Sequence, residues 1–125
     1  MEYVTLGKTG LKISRMGFGS IPIQRIDAAG TKKLLEMMAD RGINYIDSAR
    51  GYTVSESFIG EGIEGMREKF VLATKSMSRT KEAMAKDIEI SLHIFAQTIL
   101  IYIRFTIQIW SSLSRSLDRM APWKR

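Results

Sequence analysis

Residues 43–75, INYIDSARGYTVSESFIGEGIEGMREKFVLATK, decide the fold. At one end Ile43-Asn44-Tyr45-Ile46-Asp47 is a short β-rich run, and at the other Phe70-Val71-Leu72-Ala73-Thr74 is an apolar strand that ends on Lys75. Between them Ser55 begins a segment whose apolar residues Phe58, Ile59 and Ile63 keep helical spacing. Strand, helix, strand, with near-continuous apolar strands, is the pattern of a βαβ unit in a parallel sheet.

The pattern extends in both directions. Upstream, Met16-Gly17-Phe18-Gly19-Ser20 reads as a glycine-containing strand end. Asp27 then caps a helix carried by Leu34, Leu35, Met37, Met38 and Ala39, which closes at Arg41-Gly42. Downstream, Thr80 caps a third helix in which Glu82, Met84, Ile88 and Leu92 give an amphipathic pattern. Strand starts near residues 16, 43 and 70 predict three βα units. That repeat suits a (β/α) barrel and a doubly wound sheet equally, and periodicity does not choose between them. Ahead of the repeat, Tyr3-Val4-Thr5-Leu6 and Leu11-Lys12-Ile13-Ser14 flank Gly7-Lys8-Thr9-Gly10, the signature of a hairpin.

At 125 residues the chain suffices for one compact domain, and it is short of the roughly 250 residues of a complete barrel. Hydrophobic residues at 45% and charged residues at 26% exclude a disordered or collagen-like chain. With no cysteine there is neither a disulfide framework nor a thiolate metal site, and no metal is expected. Met1-Glu2-Tyr3 opens without a basic start or an apolar run, so a cytoplasmic location is expected. The net charge of +6 is concentrated late: residues 1–92 hold 14 basic and 12 acidic side chains, residues 93–125 hold 5 and 1. No basic cluster interleaves with aromatics, so no nucleic-acid partner is expected. Residues 94–110 are apolar and β-branched, broken by Gln97, Arg104 and Gln108. An internal arginine makes this run a poor membrane span and no membrane partner is expected; it reads instead as an aggregation-prone strand.

Three side chains could carry chemistry: Asp47 and Lys75 at strand ends and Tyr52 in the loop after Asp47. On spacing alone they are a loop-capping carboxylate, a half-buried aromatic and a surface charge, with Gly17 and Gly19 as turn formers. His93, the one histidine, reads as a solvated residue at a helix end.

Three stretches change that balance. Leu6-Gly7-Lys8-Thr9-Gly10-Leu11-Lys12-Ile13-Ser14 with Gly17-Phe18-Gly19, then Ile43 to Tyr52, then Leu72-Ala73-Thr74-Lys75, resemble the aldo/keto reductases in content and order over residues 1–92. The resemblance implies part of a (β/α)8 TIM barrel, with the hairpin plugging its N-terminal mouth and NADPH or NADH across its C-terminal face. It implies reduction of a small-molecule aldehyde or ketone to an alcohol. Tyr52 would be the general acid, Lys75 the ammonium that favours its phenolate, and Asp47 the partner that keeps Lys75 charged. Gly19, Ser20 and Asp47 would lie against the cofactor, and Gly17 would let the backbone approach closely. The family's fourth catalytic member is a histidine in a segment like TDYIDLYQxHNP, and no histidine follows His93.

Residues 93–125 are expected to be an out-of-frame tail without a domain of its own. A frame displaced by one base takes its first letter from the third base of one codon and the rest from the next. For Ala96 to Leu113, codons exist that read TDYIDLYQxHNPNMEQL in the displaced frame, the histidine arising from Phe105 and Thr106. Leu117 to Arg125 can likewise read GPDGALEA, and a single base lost just after Leu92 accounts for both. The expectation is therefore a truncated, inactive reductase fragment, with exposed barrel edges that favour self-association. The alternative is a non-catalytic half-barrel interaction module.

Overall fold

The computed structural model describes residues 1–95 and the backbone of residues 102–105. The expectation of an out-of-frame tail therefore falls largely outside the described residues. Strands β1 (Tyr3–Thr5) and β2 (Lys12–Ser14) form an antiparallel hairpin in which Val4 faces Ile13. Gly10, at φ +75°, supplies the left-handed backbone that its turn requires. Strands β3 (Gly17–Gly19), β4 (Tyr45–Asp47), β5 (Val71–Ser76) and β6 (Tyr102–Phe105) form a parallel sheet in the order β3-β4-β5-β6. Helices α1 (Ala28–Asp40), α2 (Ser55–Gly62) and α3 (Lys81–Ile94) alternate with them. The three predicted βα units are thus present, with β6 added beyond the third.

Register and alternation divide the sheet into two faces. Phe18, Ile46 and Leu72 are aligned across β3, β4 and β5, and they pack toward the helices with Leu35, Met38, Ile59, Ile63, Phe70 and Phe95. Burial of each such aliphatic side chain stabilises the fold by about 1.5–3 kcal/mol. The adjacent row, Gly19, Asp47 and Ala73, lies on the opposite face, and Lys75 follows Ala73 two residues on.

Two caps match the sequence reading: Asp27 Oδ1 accepts from Gly30 N at 2.7 Å, and Thr80 Oγ1 accepts from Ala83 N at 3.2 Å. Helix α2 begins differently. Val54 occupies its cap and has no polar side chain to give, and the hydroxyl of Ser55, the first helical residue, is turned inward to Ser20. His93 is exposed in the last turn of α3, as expected.

The hairpin is fastened to the amino-terminal end of the sheet. Ser14 N donates to Asn44 Oδ1 at 2.7 Å, Asn44 Nδ2 donates to Lys12 O at 3.0 Å, and Tyr3 Oη donates to Gly42 O at 2.9 Å. This is the mouth that the resemblance assigned to it. The opposite end, where β3, β4 and β5 run into loops, carries the site. Among the described residues, no helix is long and apolar enough to cross a membrane.

Candidate active site

Asp47 closes β4 and Lys75 lies near the end of β5, 28 residues away in sequence. Parallel pairing sets Asp47 opposite Ala73, so a lysine two residues further on projects from the same face at the same end. Lys75 Nζ donates to Asp47 Oδ2 at 2.6 Å and to Ser48 O at 2.8 Å. The lysine side chain is 10% exposed and the aspartate 34%, so the carboxylate opens to the surface while the ammonium lies beneath it.

Beyond β4 the chain stays zipped to β5 for a further turn. Ser48 N donates to Ala73 O at 2.8 Å, and Arg50 N to Lys75 O at 3.0 Å. It then folds back, with Tyr52 N donating to Ala49 O at 3.0 Å and Ser55 N to Tyr52 O at 2.8 Å. This places the half-buried Tyr52 ring against Lys75, with Nζ 4.8 Å from the ring centroid. An ammonium over an aromatic face is attracted by the ring quadrupole. Asp47, Tyr52 and Lys75 therefore meet as one constellation, with Lys75 at its centre.

Gly19 and Ser20 adjoin it from β3. Gly19 pairs with Asp47, and Ser20 N donates to Asp47 O at 2.9 Å. A methyl group built on Gly19 meets no atom within 4 Å, which leaves open space beside the Asp47 carboxylate. Ser20 itself is fully buried, and its hydroxyl lies 2.9 Å from that of Ser55, which also donates to Ser20 O. Its N–H is spent on Asp47 O and its side chain on a strut to α2, so Ser20 braces the strand end from behind and presents no exposed group. Gly17 has a packing reason: a Cβ there would lie 2.8 Å from the Tyr45 ring.

Behind the strands is a polar cluster that the sequence reading did not single out. Glu56, on α2, is 2% exposed and pairs with Arg50. Asp87, on α3, accepts from the hydroxyls of Ser76 and Ser78, which hold its carboxyl below the usual aspartate range. In sequence these are ordinary charges of an amphipathic surface, and no local signal marks them as partners.

The profile of the Aldo/keto reductase family matches residues 15–102. The chain belongs to the aldo/keto reductase family. It is 34% identical over 85 residues to aldo-keto reductase YhdN of Bacillus subtilis, covering 61% of this chain and 26% of that protein. It is also 33% identical over 82 residues to a probable voltage-gated potassium channel subunit beta of Arabidopsis thaliana, covering 60% and 25%. Aldo-keto reductase AKR11C1 of Bacillus halodurans superposes with a TM-score of 0.67 at 22% identity, over 96% of this chain and 44% of that one. A solved Pseudomonas aeruginosa chain assigned to the aldo-keto reductases gives 0.76 at 24%, over 94% and 56%. These structural likenesses carry the fold: the described strands and helices are part of an aldo/keto reductase TIM barrel. The chain spans about a quarter of the length of the curated relatives it matches and about half of the solved chains.

Proposed function

We propose that the chain is part of an NAD(P)H-dependent reductase that converts an aldehyde or ketone to an alcohol. The observation that carries this reading is the triple contact of Lys75, which holds Asp47 at 2.6 Å, Ser48 O at 2.8 Å and the Tyr52 ring at 4.8 Å. The open space at Gly19, the register partner of Asp47, would leave room there for a nicotinamide cofactor. When bound there, a reduced nicotinamide supplies a hydride to the carbonyl carbon. The developing charge on the carbonyl oxygen is met by the Tyr52 phenol, which donates a hydrogen bond and then its proton. Lys75 favours the phenolate left behind, and Asp47 keeps Lys75 charged and aimed. Gly19 and Asp47 would form the wall on the cofactor side, with Ser20 bracing them from behind.

The chain as it stands supplies three of the four groups that the family resemblance calls for, so it is expected to be inactive alone. NADPH oxidation, followed by absorbance with a panel of small aldehydes, tests both statements. Rejoined in the displaced frame to the sequence that supplies the histidine, the protein should turn over, and Tyr52→Phe should slow it by about 10²–10⁴-fold. Turnover by the purified monomeric chain would refute the inactivity. A rejoined protein that turns over as fast with the Tyr52→Phe substitution as without it would refute the reductase reading.

A second reading rests on the sheet edge. β3 has a strand neighbour on one side only among the described residues, and Gly17 and Gly19 are exposed there. We propose that this edge self-associates or takes a partner strand, as an open barrel edge invites. Light scattering after size exclusion separates a defined complex from a monomer.

A further inference from the structure

Two charged residues bracket the loop that carries Tyr52. Arg50 stands before it and Glu56 after it, in the first turn of α2, and their side chains pair across the loop. Glu56 also accepts from Thr74 Oγ1 at 2.6 Å and from Ser91 Oγ at 2.9 Å. Thr74 immediately precedes Lys75 on β5, and Ser91 lies on α3. The same arginine turns its Nε toward Asp87 Oδ1, 3.9 Å away, while its backbone N–H is bonded to Lys75 O. One buried carboxylate is therefore tied to the Tyr52 loop, to the residue beside Lys75 and to the neighbouring helix.

Packing α2 onto β5 does not require this arrangement, since an apolar side chain would fill the space without desolvating a charge. A buried carboxylate persists where donors replace its water, and here two of the three donors come from the segments that bring Tyr52 and Lys75 together. The loop between Arg50 and Glu56 also holds Thr53 at φ +43°, a left-handed conformation that a β-branched residue rarely adopts. Such a loop keeps its shape only when its ends are held.

We propose that Glu56 is a positioning residue, which through Arg50 sets the placement of Tyr52 over Lys75. Its meaning for catalysis rests on the reductase reading, whereas the placement itself is a property of the chain and is measured without turnover. With Nζ held 4.8 Å from the Tyr52 ring centroid, the ring current should shift the methylene protons beside Nζ upfield, and NMR of the chain labelled at the lysine ε-carbon reads that shift. Tyr52→Leu identifies the signal by abolishing it. In Glu56→Gln the shift should fall to less than about half its original size, with the far-UV dichroism unchanged. Ser91→Ala removes a donor to Glu56 and leaves the loop pair in place, so the shift should persist.

A folded Glu56→Gln chain that keeps the full shift overturns the proposal. Should that variant not fold, Arg50→Gln decides in its place, because it breaks the loop pair and leaves Glu56 with Thr74 and Ser91. Retention of the shift there overturns the proposal equally, and its loss supports it. Absence of reductase turnover in the rejoined protein would refute the proposed function and leave this outcome standing.

Discussion

Asp47→Asn and Lys75→Met remove opposite halves of one ion pair, and the structure predicts that they are unequal. The lysine side chain is 10% exposed and the aspartate 34%. Stranding a buried charge by deleting its partner costs about 3–5 kcal/mol. In Asp47→Asn the amide still offers an oxygen to Nζ, and the site is partly wet, so the expected loss is about 2–3 kcal/mol. In Lys75→Met the aspartate regains water through its open side. What remains is the lost bond to the buried Ser48 carbonyl, about 1–2 kcal/mol. In the double variant neither charge is left, so its cost should fall short of the sum by about 1 kcal/mol. Urea unfolding at neutral pH, followed by far-UV dichroism with the slope checked for constancy, measures all three. A Lys75→Met chain less stable than Asp47→Asn, or strictly additive costs, would refute the placement of the ammonium beneath the carboxylate.

Ser55→Ala leaves the buried Ser20 hydroxyl without its partner, while Ser20 O keeps its bond from Ile23 N, so it should cost about 1–3 kcal/mol in the same urea assay. Asp87 is held below its ordinary value of 3.8, first by its bonds from Ser76 and Ser78. The stability it adds is thus present above the unfolded-chain value and lost as the pH falls through the lower folded one. The urea midpoint should decline as the pH falls below the ordinary aspartate range, and Asp87→Asn should flatten that part of the curve. Sequencing the coding DNA from codon 88 to beyond codon 125 should show that one restored base opens a frame supplying the histidine; absence of such a frame would show the tail to be genuine and favour the interaction module.

The strands and helices were legible because their signals are local. Apolar spacing, the caps at Asp27 and Thr80, and the glycine after α1 each act within a few residues. Ser55 shows where local reading stops. A serine at a helix start reads locally as a cap, but Val54 holds that position and the Ser55 hydroxyl is bonded to Ser20, 35 residues away. Asp47 and Lys75 are ambiguous on spacing, because parallel register alone makes residues so far apart into neighbours; the resemblance to the family is what singles them out. Glu56 was illegible. An acid in the first turn of a helix usually faces water and favours the dipole, and its burial depends on Arg50, Thr74 and Ser91, which come from three other elements.

The composition of β5 gives these observations a common cause. Its helix-facing residues are Leu72 at the amino end, within the apolar core, then Thr74 and Ser76, which donate to Glu56 and Asp87. The same strand side that binds by dispersion at one end binds by hydrogen bonds at the other. Apolar packing tolerates small slips between layers, whereas charge-assisted hydrogen bonds fix distance and direction. The change comes where the opposite side of the strand presents Lys75. The polar cluster and the candidate site are therefore back to back across a single strand, so the end of the barrel that carries the candidate site is also the end braced by directional bonds.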